Sequence, residues 1–258
     1  MDNDLPNVQS GNQKQIRLCS INICGLSQRS QHVLDHYTDV EQLDLVAVQE
    51  SGQKNLHLTN MITVTDINKG ENRGCALFVR NCYSVTSLDS ISEISRNIDT
   101  AWALCVFNNR RIIVGTVYLK LGHVNGVKEL TSMLDKAKTM SSTLRASGII
   151  VLGDMNSRHP LWGDTTTNDY GKRLMDGIDF HDFSVLTTPT PTFISSNGSS
   201  YIDLIIASNN MADMIEAPST DNEVELFSGA PIRGHVPMLS NLAIGRPKQN
   251  TKTEKMDI

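Results

Sequence analysis

The residues best suited to chemistry stand where strand-like runs end. Ile149-Ile150-Val151-Leu152-Gly153-Asp154-Met155-Asn156 carries an apolar run into a carboxylate, with a carboxamide two residues on. Alternation along a strand can put Asp154 and Asn156 on one side. A carboxylate there can take a proton from water, and an amide can hydrogen-bond an anionic oxygen. The same residues also make an ordinary polar turn. Leu45-Val46-Ala47-Val48-Gln49-Glu50 ends in the same way. Glu50 suits Mg²⁺, because a hard cation takes one or two carboxylates and keeps several waters. Taken alone, it is more simply a charge reaching solvent. Asp203 sits among apolar residues in Tyr201-Ile202-Asp203-Leu204-Ile205-Ile206, so it needs a partner. It can orient an imidazole, for which His235 is the candidate, or pair with a structural arginine or backbone donor. Asn22 closes Leu18-Cys19-Ser20-Ile21-Asn22, and Tyr118 closes Ile113-Val114-Gly115-Thr116-Val117-Tyr118. Singly these are a turn amide and a core aromatic. Jointly, Asn22, Glu50, Tyr118, Asp154 and Asp203 all lie in or at the end of strand-like runs. Enzymes with α/β folds assemble sites from distant parts of the chain in this way.

The elements that would position these residues are mostly strands. Ile16–Ile23, Asp44–Gln49, Cys75–Val79, Ala101–Phe107, Arg111–Leu119, Gly148–Leu152 and Tyr201–Ala207 read as strands from β-branched content and alternation. Val127, Leu130, Leu134, Ala137 and Leu144 follow a helical period after a start signal at Asn125. A short helix is expected from about Tyr170 to Phe183, with Leu174 and Ile178 four apart. A weaker one runs from Arg29 to Leu43, carrying Val33, Tyr37 and Val40. Two packed sheets with helices outside suit this arrangement. Thr192-Phe193-Ile194 and Tyr201-Ile202 flank a six-residue polar tip, Ser195–Ser200, whose Asn197-Gly198 pair is a strong hairpin signal. Such a tip is a surface turn or a finger aimed at a ligand.

Length and composition bound the rest. A chain of 258 residues is one large domain or two small ones. Hydrophobic residues at 39% and charged residues at 20% give a globular balance. The net charge of −5 argues against a strongly basic nucleic-acid coat, but leaves room for one local groove. Met1–Gln15 has no signal-peptide core, and no apolar run is long enough to span a bilayer. Five cysteines without a C-x-x-C pair point to a reduced intracellular protein with no zinc site. Nucleotide-binding glycine loops, H-E-x-x-H and G-x-S-x-G are absent. Polar termini make 1–14 and 244–258 expected tails around a domain at 15–243.

The ordered set Asn22, Gln49-Glu50, Tyr118, Gly153-Asp154-Met155-Asn156, Ile202-Asp203-Leu204 and Gly234-His235 resembles the endonuclease/exonuclease/phosphatase superfamily. Asn72-Arg73-Gly74-Cys75-Ala76-Leu77-Phe78-Val79-Arg80 and Asn156-Ser157-Arg158-His159-Pro160-Leu161-Trp162-Gly163 narrow it. They resemble blocks in the endonuclease domain of non-LTR (LINE-type) retrotransposons of the jockey-like branch. The resemblance spans roughly Gln15 to Leu242. It implies a four-layer α/β sandwich, with two mixed sheets packed face to face and helices outside. It also implies Mg²⁺-dependent nicking of double-stranded DNA, with Mn²⁺ able to substitute. The 3′-hydroxyl left behind would prime reverse transcription by a reverse transcriptase in the same polyprotein.

Carried over by position, Glu50 would bind the metal and Asn22 would support it. Asp154 would activate water, and Asn156 and Tyr118 would hold phosphate oxygens. His235, oriented by Asp203, would stabilise the charge building on phosphorus. The Asn197-Gly198 hairpin would enter the minor groove and influence site choice, since that groove reports A·T against G·C and its own width. Arg73, Arg158 and Arg233 would contact phosphates. A nuclear location follows from that substrate alone.

One position departs from the family pattern. The usual S-D-H ending stands here as Arg233-Gly234-His235, without the acid that helps bind metal, so metal binding is expected to weaken. That departure keeps open a catalytically weakened or dead DNA-binding module. An abasic-site or other phosphoester hydrolase of the same superfamily is a separate alternative, against which the His159–Gly163 block and the Arg73–Arg80 strand count.

Overall fold

A computed structural model describes residues 15–25, 28–52, 56–65, 74–92, 95–222 and 234–244. The elements run β1 (Gln15–Asn22), α1 (Gln28–Val40), β2 (Leu45–Gln49), β3 (Met61–Thr65), β4 (Cys75–Arg80) and β5 (Ser84–Ser87). Then come β6 (Ile98–Phe107), β7 (Arg110–Leu119), α2 (Asn125–Leu144), β8 (Gly148–Asp154) and a 3₁₀ turn at Pro160–Trp162. They continue with α3 (Asp169–Phe180), β9 (Phe183–Leu186), β10 (Phe193–Ser195), β11 (Gly198–Ser200), β12 (Asp203–Ser208) and α4 (Asn209–Ala212). The last strands are β13 (Ser219–Thr220), β14 (Gly234–His235) and β15 (Met238–Ala243).

Among the described residues two six-stranded mixed sheets form. The first has the order β13-β15-β1-β2-β4-β3, and the second β5-β6-β7-β8-β12-β9. Only β1–β2 and β7–β8 pair in parallel within them. A small third sheet, β11-β10-β14, stands apart.

Alternation sorts each strand between two layers of core. Odd residues of β2 (Leu45, Ala47) and even residues of β8 (Ile150, Leu152) pack between the sheets, with Leu18, Leu77, Val114 and Ile205. The opposite faces meet helices. Val46, Val48 and Phe78 pack on Leu34 and Tyr37 of α1. Ile149, Val151 and Leu204 pack on Leu130, Leu134, Leu174 and Ile178 of α2 and α3. Helix, sheet, sheet and helix make four layers, as expected from the sequence.

Several local expectations shift. Helix α1 buries Leu34, Tyr37 and Thr38, whereas Val40 is exposed. The buried stripe is thus displaced from the Val33–Tyr37–Val40 set. Asn125 is the first helical residue of α2 rather than its cap, and Val124 at the cap makes no side-chain hydrogen bond. Helix α3 ends at Phe180, because Phe183 begins β9 on the edge of the second sheet. The hairpin turn is only Ser196-Asn197, with Ser195 opposite Gly198. The pairing therefore extends into the polar run Ser195–Ser200 and shortens the expected six-residue tip. Ile244 packs against the inter-sheet core. Segments 1–14 and 245–258 lie outside the described residues, as do Arg73 and Arg233. No helix among the described residues is long and apolar enough to cross a membrane.

Candidate active site

The inter-sheet layer changes character toward one end. Following the faces that carry Leu18, Ala47, Val114, Leu152 and Ile205, the next side chains are Ser20, Gln49, Thr116, Asp154 and Asp203. Gln49 Nε2 donates to Thr116 Oγ1 at 2.8 Å and to Ser20 Oγ at 3.2 Å, so one buried amide ties the two sheets together. Above it the charged groups collect. Register sets Tyr118 opposite Asp154, and Asp154 opposite Asp203. Asp99 stands opposite Tyr118 on the other side. Register partners project to the same face, so these four side chains form one row across β6, β7, β8 and β12.

Asn22 reaches this row from the first sheet. Its Nδ2 donates to Asp154 Oδ2 at 2.9 Å and to Glu50 Oε1 at 3.1 Å. One amide thus holds two acids from different sheets. Asn22 Oδ1 accepts from Cys24 N at 2.8 Å, which fixes the amide's orientation. Asp203 brackets His235 Nδ1 with both carboxylate oxygens, at 3.0 and 2.9 Å. That contact turns Nε2 toward Asp154 Oδ2, 3.5 Å away. Glu50 and Asn156 both hold left-handed backbone (φ +50 and +46), which is uncommon outside glycine and clusters at functional sites.

The electrostatics follow from burial. Desolvation is the largest influence on Asp154 and pushes its pKa up to about 7. Neighbouring His235 pulls it down, and Asp203 pushes it up again. His235 is also buried, which disfavours its charged form. Asp203 and then Asp154 outweigh that and raise its pKa to about 9. The site therefore favours the protonated imidazole, and it favours neutral Asp154 more than water does.

Residues 112–228 match the family model described as "Endonuclease-reverse transcriptase". Similar solved structures include the endonuclease domain of TRAS1, a telomere-specific non-LTR retrotransposon (18% identity, TM-score 0.72, covering 90% of this chain and all of that one). The AP endonuclease LMAP from Leishmania major has a TM-score of 0.68 at 12% identity, over 90% of this chain and 88% of that one. An endonuclease/exonuclease/phosphatase from Bacteroides vulgatus has a TM-score of 0.64 at 14% identity, over 89% of this chain and 98% of that one. A comparison with curated protein sequences gives no match. The chain therefore has the fold of these structures, and residues 112–228 are similar to the endonuclease-reverse transcriptase family.

Within this fold, Asn22, Glu50, Asp154, Asp203 and His235 come together as one cluster, joined by hydrogen bonds and by the His235–Asp154 ion pair. Tyr118 is buried beside them, next to Cys75 and Ala101. Asn156 lies at the same end, but its Nδ2 donates to the Leu119 carbonyl at 2.6 Å. One of its two N–H groups is thereby engaged within the protein. Arg158 is half-exposed and ion-paired with Asp164 at 3.1 Å, rather than free on the surface. Asn197 and Gly198 are exposed in the hairpin, whose first strand pairs with the one carrying His235.

Two charged residues at this end escape a reading that starts the strand at Ala101. Asp99 is 2% exposed and pairs with Lys120 at 2.7 Å. It also accepts from Gly74 N at 3.2 Å.

The donor set fits a hard divalent cation. Asp154, Asp203 and His235 bring one ligand atom each within 4.8 Å of one another, and Asn22 links Glu50 to the same cluster. Three acids around one imidazole leave surplus negative charge in a desolvated place, which a cation would neutralise. The imidazole is already held by Asp203, so the Glu50 carboxylate, tied to the cluster through Asn22, is the better ligand for such an ion.

Proposed function

We propose that this chain is a Mg²⁺-dependent endonuclease domain that nicks double-stranded DNA and leaves a 3′-hydroxyl. One observation carries the reading: Asn22 and Glu50 of one sheet meet Asp154 and the Asp203–His235 pair of the other at a single polar end. Glu50 would hold the ion, with Asn22 orienting its carboxylate, and Mn²⁺ would serve in place of Mg²⁺. When bound, the ion supplies charge neutralisation at the phosphate.

The chain's own residues supply the rest. Asp154 takes a proton from the attacking water, a role that suits a carboxylate with a pKa near neutrality. The water oxygen bonds to phosphorus while the bond from phosphorus to O3′ breaks, and the departing oxygen takes up a proton. Protonated His235 aims Nε2–H at the charge that builds on the phosphoryl oxygens, with Asp203 fixing the ring. Tyr118 and the second N–H of Asn156 hold other phosphate oxygens. The acidic net charge confines DNA to this face and makes binding strongly salt-dependent. The released 3′-hydroxyl would prime a reverse transcriptase carried in the same polyprotein, acting in the nucleus.

A substrate panel tests this reading. It compares an intact duplex, the same duplex with one abasic site, and a phosphoinositide, each with Mg²⁺. The proposal expects nicks in the intact duplex whose 3′ ends a polymerase extends directly. Cleavage confined to the abasic site, or phosphate release from the lipid, would favour the repair or phosphatase readings. DNA binding without cleavage of any substrate would favour the binding module.

A further inference from the structure

The hairpin β10–β11 is tied to the molecule at both feet by different segments. On the β10 side, Phe193 stands opposite His235, with the rings 4.9 Å apart. Thr192 Oγ1 accepts from Asp203 N at 3.0 Å, and the Thr192 carbonyl accepts from Val236 N at 2.7 Å. On the β11 side, Tyr201 N donates to Asp164 Oδ2 at 3.2 Å. The Asp164 side chain is 2% exposed. Both its oxygens accept from Arg158 Nε at 3.1 Å, and Oδ1 also accepts from Thr165 N at 3.0 Å. Arg158 reaches on through Nη2 to the Ser199 carbonyl at 3.4 Å. Gly163 (φ +99) lies flat on the Tyr201 ring, where a Cβ would fall 3.1 Å from its carbons.

A buried carboxylate is tolerated only with several donors. The donors of Asp164 come from the turn after β8 and from the foot of the hairpin, so the carboxylate joins those two segments. The hairpin needs such a tie. Its strands are three residues long and its tip is small and exposed, so it has little stability of its own. Pairing with β14 fixes one edge and still allows rotation about that edge. The second attachment removes the rotation.

We infer that the Arg158–Asp164 pair is a positioning clamp. It sets where the hairpin stands over the catalytic end, and so which phosphodiester of a bound duplex meets Asp154 and His235. The inference rests on the endonuclease reading of that site. Asp164 touches no substrate in this scheme; it acts through the hairpin.

Asp164→Asn keeps the shape and removes the charge that holds Arg158. Two readouts follow it: nick positions along an end-labelled duplex, and amide exchange of residues 192–200. The ratio of cutting at the preferred phosphodiester to cutting at its neighbours should fall at least about five-fold. Amides of residues 192–200 should exchange at least about ten-fold faster, while those of β8 and β12 keep their rates and report an intact fold. Arg158→Lys keeps a charge without the guanidinium fork, and should shift both readouts in the same direction. An unchanged cutting ratio, unchanged exchange in the hairpin, or an Arg158→Lys ratio equal to the unsubstituted protein's would each overturn the clamp. If the unsubstituted protein makes no nicks, the endonuclease reading has failed separately, and hairpin exchange alone decides the clamp.

Discussion

Asp203 grips Nδ1 of His235 with both carboxylate oxygens, at 3.0 and 2.9 Å. The ring is therefore held in one orientation, with Nε2 directed at the catalytic end. Asp203→Asn keeps the size but loses the charge that favours the imidazolium. The nicking rate should fall by about 100- to 10,000-fold, the range for disabling a positioned acid–base group. NMR titration should show the His235 pKa dropping from about 9. An unchanged histidine titration would remove Asp203 from this role.

Burial of the cluster should make stability depend on pH. His235 has its folded pKa raised from 6.5 to about 9. Its contribution is full below 6.5 and is lost as pH rises through 9. Asp154 has its folded pKa raised from 3.8 to about 7. The folded state thus favours its neutral form, and that advantage is lost as pH rises from 4 through 7. Both effects have the same sign. Without divalent metal, the urea midpoint should decline from pH 5 to pH 9. Mg²⁺ should restore more stability at pH 9 than at pH 5, because it binds the ionised acids. A midpoint that rises with pH would contradict this account of the buried charges.

Asn22 separates two acids by donating to each. Asn22→Ala removes that bridge and one hydrogen bond from each of Glu50 and Asp154. Mg²⁺ affinity, measured by calorimetry, should weaken by about 10- to 100-fold, as when groups that orient metal ligands are lost. Equal affinity would mean that Glu50 needs no such support.

Much of this site was legible because strand alternation continues beyond the apolar residues that reveal it. Asp154 and Asp203 extend the buried faces of β8 and β12, so their meeting follows from period two once the strands are paired. Asp99 was not legible, because polar Asp99 and Thr100 hid the first turn of the pleat in β6. The link from Gln49 to Thr116 depends on the packing of two sheets, which no local pattern encodes. The sequence offers Arg158 as a phosphate contact; its pairing with Asp164, across a 3₁₀ turn, is set by the fold of that turn. The Asn-Gly signal gave the hairpin but not its register, since Gly198 pairs with Ser195 and leaves Ser196-Asn197 to make the turn.

Gly234 stands where the resembling family carries an acid, and its φ is +142. An L-residue rarely adopts that conformation. Gly234→Asp should therefore cost about 1–3 kcal/mol in urea unfolding, even if the added carboxylate improves metal binding. No loss of stability would show that the backbone at this position relaxes freely.

The central claim is that the acids of two sheets form one metal-dependent hydrolytic site. Nicking of supercoiled plasmid, with Mg²⁺ and with EDTA, tests it most directly in the unsubstituted protein and in Asp154→Ala. The account predicts open circles with Mg²⁺, none with EDTA, and a loss of about 1,000-fold or more in Asp154→Ala. Nicking that survives EDTA, or that Asp154→Ala leaves intact, would contradict it, as would a folded unsubstituted protein that makes no nicks with Mg²⁺.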